Sequence, residues 1–347
     1  MGNLQSLLLA PAALLYGIGI SVRNRLFDLR IFDSYKTAVP VVSIGNITMG
    51  GTGKTPLVDF VVKYYLKRGL KPAILSRGYK RATKGVRLVS DGRRIFLGSR
   101  EAGDESAMLA HKNPETIVVV AEKRKDGVDY ITEHFTDRLP DVLVLDDGFQ
   151  HRQLGRNLDI VVINTTVPFF EDHLIPAGRL REPIKNLDRA DLLILSKVAD
   201  PENTTLFEEK LSITGKPLVK TSVRPGKPVH FAGPDNPSPH KVIALAGIGQ
   251  PEGFIASLQQ GGMQVVSHVF FPDHADFPLK SMKTLAGEAR RDGLSIVTTE
   301  KDYFRLLSNR STLETISQVP CFYLPVEIEI TEEQKLFENM LDNVVIP

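Results

Sequence analysis

The first strong pattern along the chain is a change of period. Pro40-Val41-Val42-Ser43-Ile44 is a short apolar, β-branched run, and Leu57, Val58, Phe60, Val61 and Tyr64 then recur at helical spacing. A glycine-rich loop, Gly45-Asn46-Ile47-Thr48-Met49-Gly50-Gly51-Thr52-Gly53-Lys54-Thr55, joins the predicted strand to the predicted helix. Apolar runs then alternate with helical patterns: Ala73 to Leu75, Ile117 to Val120, Val142 to Leu145, Ile160 to Ile163 and Leu192 to Leu195. Continuous Val/Ile/Leu runs of this kind predict strands buried on both faces of a mainly parallel sheet. In such a sheet, ligands bind at the C-terminal ends of the strands.

Thr221 to His240 is rich in turn formers, with Pro225, Gly226, Pro228, Gly233, Pro234, Pro237 and Pro239. Beyond it a second α/β pattern begins at Val242-Ile243-Ala244-Leu245-Ala246-Gly247 and continues through Val265-Val266, Ile296-Val297 and Phe322-Tyr323-Leu324. A chain of 347 residues exceeds the usual size of one domain. The expected fold is therefore α/β: a mainly parallel, P-loop NTPase-like domain over residues 1–222, a linker over 223–240, and a smaller α/β domain over 241–347 ending in a helix.

The N-terminal run from Leu7 to Val22 carries no charge and is followed by Arg23, Arg25 and Arg30. Sixteen residues with an internal proline fall short of the about 20 a membrane span needs. No basic residue precedes the run and no small-residue cleavage site follows it, which disfavours a secretory signal. Two readings stay open: a core helix of the globular fold, or a segment lying in one leaflet with its arginines among the headgroups.

Composition narrows the chemistry. Lys and Arg total 43 against 41 Asp and Glu, so the chain lacks the broad basic excess of a general nucleic-acid binder. A single cysteine, Cys321, excludes intrachain disulfides and cysteine-based metal clusters, as suits a reducing compartment.

The glycine-rich loop is a phosphate cradle. Its backbone N–H groups converge on an anion, the following helix adds the positive end of its dipole, Lys54 reaches the β/γ-phosphates, and the Thr55 hydroxyl faces Mg2+. Thr48, Gly50, Gly51, Thr52, Gly53, Lys54 and Thr55 are the candidate nucleotide-binding residues. The strict pattern G-x-x-x-x-G-K-[ST] asks for glycine at position 48, where this chain has Thr48.

Immediately after the run Val142 to Leu145 come Asp146-Asp147-Gly148-Phe149-Gln150-His151-Arg152, acids placed where a P-loop fold holds magnesium directly or through water. A GTPase would carry D-x-x-G here and [NT]-K-x-D later. The chain has Asp-Asp-Gly and Ser196-Lys197-Val198-Ala199-Asp200, which argues against guanine without deciding the base. Arg77, after the run ending at Leu75, could clamp phosphate or lie on the surface. Asp104 and Glu105 precede an apolar helical pattern and could cap it or face the site. His274, flanked by Asp273 and Asp276, falls in the second unit and would reach an interdomain cleft.

Seven blocks occur in a fixed order: Gly45 to Pro56, Ser76-Arg77-Gly78-Tyr79, Gly103-Asp104-Glu105, Asp146 to Arg152, Leu174 to Pro183, Asp273-His274 and Thr298 to Asp302. In that order the chain resembles the tetraacyldisaccharide 4'-kinases, the lipid A 4'-kinases, over nearly its whole length. The resemblance implies an enzyme at the cytoplasmic face of the bacterial inner membrane, peripheral or monotopic. Such an enzyme moves the γ-phosphate of ATP to the 4'-hydroxyl of an acylated glucosamine disaccharide 1-phosphate. It further implies Asp104 as catalytic base with His274 in tandem. Lys54, Mg2+ and Arg77 or Arg124 would neutralise charge, and Thr55, Glu105, Asp146 and Asp147 would form the magnesium shell. Ser106, after Gly-Asp-Glu, and Ala275, after the histidine, depart from the usual family residues without removing a proposed catalytic group. Because Asp104 and His274 flank the expected linker, catalysis should need the two domains to close over ATP. A soluble-metabolite P-loop kinase or ligase and a regulatory nucleotide switch share the phosphate loop, and the later blocks favour the lipid kinase over both.

Overall fold

The computed structural model describes residues 3–198, 201–236, 238–249, 251–273 and 275–345. Ala199, Asp200, Pro237 and His274, all read above, lie outside the described residues.

Strands β1 (Val41–Gly45), β2 (Pro72–Ser76), β3 (Arg87–Asp91), β4 (Ile117–Val120), β5 (Val142–Asp146), β6 (Leu158–Asn164), β7 (Leu192–Ser196) and β8 (Leu218–Pro225) belong to one sheet. Strands β9 (Val229–Ala232), β10 (Lys241–Ala246), β11 (Gln264–Phe270), β12 (Ser295–Thr299) and β13 (Cys321–Leu324) form a second. The last strand, β14 (Val326–Glu332), returns to the first sheet, whose order among the described residues is β14-β8-β7-β6-β1-β5-β2-β4-β3. The second sheet runs β11-β10-β12-β13-β9. Both are parallel except at their edges, where β3, β14 and β9 pair antiparallel.

The helices are α1 (Asn3–Asp28), α2 (Lys54–Lys67), α3 (Ser99–Ala102), α4 (Asp104–Lys112), α5 (Arg124–His134), α6 (Pro201–Ser212), α7 (Pro251–Gln260), α8 (Leu279–Asp292), α9 (Glu300–Leu307), α10 (Arg310–Ile316) and α11 (Gln334–Val345). The continuous apolar runs are strands with both faces covered, as predicted: β1, β2, β4, β5, β6 and β7 are buried at every residue. On α2 the period-3.6 residues Leu57, Val58, Val61 and Val62 are completely buried over this sheet, each contributing on the order of 1.5–3 kcal/mol.

Two expectations change. The proposed linker at 223–240 is partly strand: the end of β8 and all of β9 lie in it, and β9 closes the second sheet beside β13. The C-terminal helix covers the first sheet instead of the second. Tyr65 of α2 donates its hydroxyl to the Leu341 carbonyl at 2.9 Å, and Tyr64 donates to Asp342 at 2.8 Å. The second sheet is thus inserted between β8 and β14, neighbours joined where the Gly226 N–H donates to the Pro325 carbonyl at 2.9 Å.

The N-terminal apolar run also differs. It is part of a 26-residue helix, because the turn carrying Arg23 and Arg25 continues it. Its C-terminal half docks: the Tyr16 hydroxyl donates to the Arg181 carbonyl (2.8 Å), Arg23 to the Gln150 carbonyl (2.6 Å), and Asn24 to the completely buried carboxylate of Glu182 (2.9 Å). The rest presents Leu7, Leu8, Leu14, Leu15, Ile18 and Val22 to the surface, each more than half exposed. A core helix would bury these side chains, so that alternative does not hold.

Candidate active site

The phosphate loop spans the gap between β1 and α2. Gly45, where it begins, passes so close to the next loop that a Cβ there would lie 2.5 Å from the Phe149 Cβ. Gly53, which caps α2, has φ +88°, a left-handed conformation that a glycine adopts without strain. The loop is braced from within by Asn46, whose amide donates to the Thr48 carbonyl (2.7 Å) and the Thr52 hydroxyl (3.0 Å). Its outward carbonyls are taken by neighbours: Ser196 donates to Thr52 (2.7 Å), Asn164 to Gly51 (3.2 Å), and Gln150 to Asn46 (2.8 Å). The first N–H groups of α2 have no intrahelical acceptors, so this end of the loop favours an anion. Thr48 forms an antiparallel bridge with Leu180. Bridge geometry is extended backbone that any residue adopts, which accounts for threonine at the position where the strict motif has glycine.

Asp146 ends β5 and Asp147 follows at φ +53°, a conformation uncommon outside glycine and worth a functional explanation. Lys54 Nζ lies 3.4 Å from Asp147, and Arg181 donates from Nη1 to both carboxylate oxygens at 2.9 and 2.8 Å. Burial alone would raise the pKa of Asp147, but Lys54 and Arg181 outweigh it and hold the group below the usual carboxylate range. Asp146 is the opposite case. Burial, then the charges of Glu105 and Asp147, push it up to about 7. Ser76 donates to its Oδ2 at 3.0 Å, while its Oδ1 is buried with no hydrogen-bond partner among the described residues. These are hard oxygen donors crowded beside the phosphate loop, a set that fits a small divalent cation better than it fits no cation. No group of three or more His, Cys, Asp or Glu placed to hold a metal on their own occurs among the described residues. Mg2+ commonly takes one or two carboxylates and completes its shell with phosphates and water.

Asp104 starts α4, directly after Gly103. Arg305 of α9 reaches it across the two sheets, with Nε and Nη2 each 3.2 Å from Oδ2. Lys301 pairs with Asp273 at 3.1 Å and lies 3.8 Å from Glu105. Asp273 and the Ala275 carbonyl are thus joined through Lys301 and Arg305 to the N-terminus of α4. Asp104, Tyr79, Gly103, Asp276, Arg305 and Arg310 line a cavity of about 740 Å³ at this junction.

Arg77 and Arg124 differ in placement. Arg77 is exposed at the end of β2. Arg124 is 3% exposed, donates to the Ala121 carbonyl (2.7 Å) and lies 3.4 Å from the Asp146 carbonyl, and burial lowers its pKa to about 10. Its guanidinium thus supports the strand ends from behind. Sequence reasoning gave no role to Arg181, Lys301, Asn46, Ser196 or Arg305. The first three fell inside quoted blocks, whereas the partner of Arg305 at the site is 201 positions away.

His151, in the loop after β5, has its pKa lowered to about 3 by burial and then by Arg124. A group depressed in this way contributes stability that is complete above its ordinary value near 6.5 and is lost as pH falls toward 3. Its imidazole NMR signals should therefore stay at the neutral position from pH 8 to pH 5. A midpoint near 6.5 would show that the ring is hydrated and the burial argument mistaken.

A family profile described as tetraacyldisaccharide-1-P 4'-kinase matches residues 5–345. The chain belongs to the tetraacyldisaccharide 4'-kinase family. It is similar to the tetraacyldisaccharide 4'-kinase of Chlorobaculum tepidum, 51% identical over 340 residues and covering 97% of each chain. It is 50% identical over 350 residues to that of Chlorobium phaeobacteroides, covering 99% of each. Among solved structures it matches LpxK from Aquifex aeolicus in complex with ATP, with TM-score 0.78, 31% identity, and 98% of this chain and 99% of that one covered. The P-loop α/β architecture expected from the chain is thus that of a tetraacyldisaccharide 4'-kinase.

Proposed function

We infer that the chain is an ATP-dependent lipid kinase that phosphorylates the 4'-hydroxyl of tetraacyldisaccharide 1-phosphate, giving lipid IVA in lipid A biosynthesis. The observation that carries this reading is the Lys54–Asp147 pair at the phosphate loop, next to Asp146, whose carboxyl feels the charge of Glu105, the neighbour of Asp104 at the start of α4, in a chain matched to the family from residue 5 to residue 345. ATP lies with its β/γ-phosphates along residues 48–55 and against Lys54, and Arg77 approaches from the end of β2. Asp104, working in tandem with His274, accepts the proton of the sugar hydroxyl. That oxygen attacks the γ-phosphorus, the bond to the β,γ-bridging oxygen breaks, and ADP leaves with the electron pair. Bound Mg2+ supplies neutralisation of phosphate charge, and Thr55, Glu105, Asp146 and Asp147 would hold it directly or through water. Arg181, by gripping Asp147, fixes the carboxylate that faces Lys54.

The exposed apolar face of α1 fits a membrane surface carrying the acylated acceptor. Among the described residues one helix, Ser6–Asp28, is long and apolar enough to cross a bilayer, and its docked C-terminal half favours the interface, at the cytoplasmic face of the inner membrane. Replacing Leu14 and Leu15, 65% and 71% exposed, by Asp should abolish flotation with vesicles containing anionic lipid and leave ATP affinity intact. Unchanged flotation would remove α1 from this role.

The function itself is tested by incubating purified protein with γ-labelled ATP and Mg2+ in mixed micelles of the disaccharide 1-phosphate. Label should enter the lipid fraction. Label in a soluble acceptor or in free phosphate alone would favour a metabolite kinase or a nucleotide switch.

A further inference from the structure

Arg305 is 8% exposed and joins parts of the molecule that meet nowhere else in sequence. Besides Asp104 it pairs with Asp302 (3.2 Å), donates from Nη1 to the Ala275 carbonyl (2.9 Å) and from Nη2 to the Gly247 carbonyl (3.3 Å), and lies over the Phe277 ring at 5.4 Å. The socket is held independently of Arg305. Asp302 accepts from the Gly247 N–H at 2.8 Å and from the Thr299 hydroxyl at 2.7 Å, and Thr299 caps α9. Gly247 leaves room for the guanidinium: a Cβ there would lie 2.7 Å from Arg305 Nη1.

We propose that Arg305 is a positioning residue for phosphoryl transfer, one guanidinium that fixes the Asp104 carboxylate against the Ala275 and Gly247 carbonyls of the second sheet's unit. This rests on the reading of Asp104 as the base. A planar fork with five donors can serve two carboxylates and two carbonyls from separate segments at once, more acceptors than the three donors of a lysine can meet. An alternative is a plain interdomain ion pair that adds stability and does not affect the chemistry. The two differ in what a shift of the guanidinium does, because a displacement of about 1 Å at a reacting group costs about 10²-fold in rate.

Four variants of the full chain, Arg305→Met, Arg305→Lys, Gly247→Ala and Asp104→Asn, are compared by kcat, KM for ATP and thermal midpoint. Arg305→Met should lower kcat about 10²-fold with KM for ATP within about threefold, and Arg305→Lys should recover only part of it. Gly247→Ala should lower kcat in the same sense with a midpoint above that of Arg305→Met, since the guanidinium must shift and the Asp302 carboxylate give slightly while both stay in place. If Arg305 acts through Asp104, the double variant Arg305→Met/Asp104→Asn should be no slower than Asp104→Asn alone. The proposal is overturned if Arg305→Met and Gly247→Ala turn over normally once folded, or if the Arg305→Met and Asp104→Asn losses multiply. An active Asp104→Asn would instead sink the base assignment, and an inactive Asp104→Asn with a normal Arg305→Met sinks this inference alone.

Discussion

Asp104→Asn lowers kcat by about 10²–10⁴-fold, the usual contribution of a general base, while equilibrium binding of ATP to the variant stays near the wild-type value. The asparagine keeps the shape and still accepts from Arg305 through its carbonyl oxygen, but it cannot take the proton of a sugar hydroxyl. Asp104 lies at the N-terminus of α4, held by Arg305, whereas the phosphate loop opens α2, so the loss should fall on kcat and not on nucleotide affinity. Single-turnover transfer of label to the lipid acceptor separates the two. Wild-type turnover at saturating substrates would reject Asp104 as the base, and a large fall in ATP affinity would move it to the nucleotide shell.

Lys112→Met should be the most destabilising single change at the junction of the two sheets. Lys112 lies at the other end of α4, 11% exposed at its side chain, with Nζ 3.2 Å from Asp59 and 2.8 Å from Glu300, each 7% exposed. Removing one member of a buried ion cluster leaves a charge without its partner, at a cost of about 3–5 kcal/mol. The lower end applies here, because Asp59 keeps Lys63 at 3.0 Å and Asn113 at 2.8 Å, whereas Glu300 loses its ion-pair partner. The urea midpoint should fall at unchanged slope, and adding Glu300→Gln should recover part of the loss. A midpoint within about 1 kcal/mol of wild type would mean that water reaches the cluster. Burial would lower the pKa of Lys112, but Asp59 and Glu300 raise it overall. Its contribution is therefore complete below its ordinary value of about 10.5 and is lost only as pH climbs beyond it.

The parts of the site that the chain made legible are those whose signal is local. The phosphate loop announces itself through glycine spacing between a strand and a helix, and Asp146 and Asp147 through their place at the end of an apolar run. Both sit at strand C-termini beside each other because β1 and β5 pair in parallel, Ile44 against Asp146. Position 48 looked irregular only because the motif, read as a string, does not show that Leu180 pairs with it. The long α1 was underestimated because the apolar run, not the helix, ended at Val22. Strand β9 was hidden by its flanks: four residues between Pro228 and Gly233 read as more of the same turn-rich stretch. Strand β14, Val-Glu-Ile-Glu-Ile-Thr-Glu, alternates as an edge strand does, and nothing in that pattern states which of two sheets it joins. Arg305 belongs to the same class, since its i, i+3 neighbour Asp302 is visible in sequence and Asp104 is not.

The return of β14 and α11 to the first sheet sets an order on the ribosome. The strand that pairs with β8, and the helix that receives the hydroxyls of Tyr64 and Tyr65, are synthesised only after the whole second sheet. At about 5–20 residues per second, some 120 residues separate the end of β8 from the end of α11, an interval of about 6–24 s. Throughout it the nascent nucleotide-binding sheet has an unpaired edge and α2 an uncovered face, a window in which a chaperone has access to them.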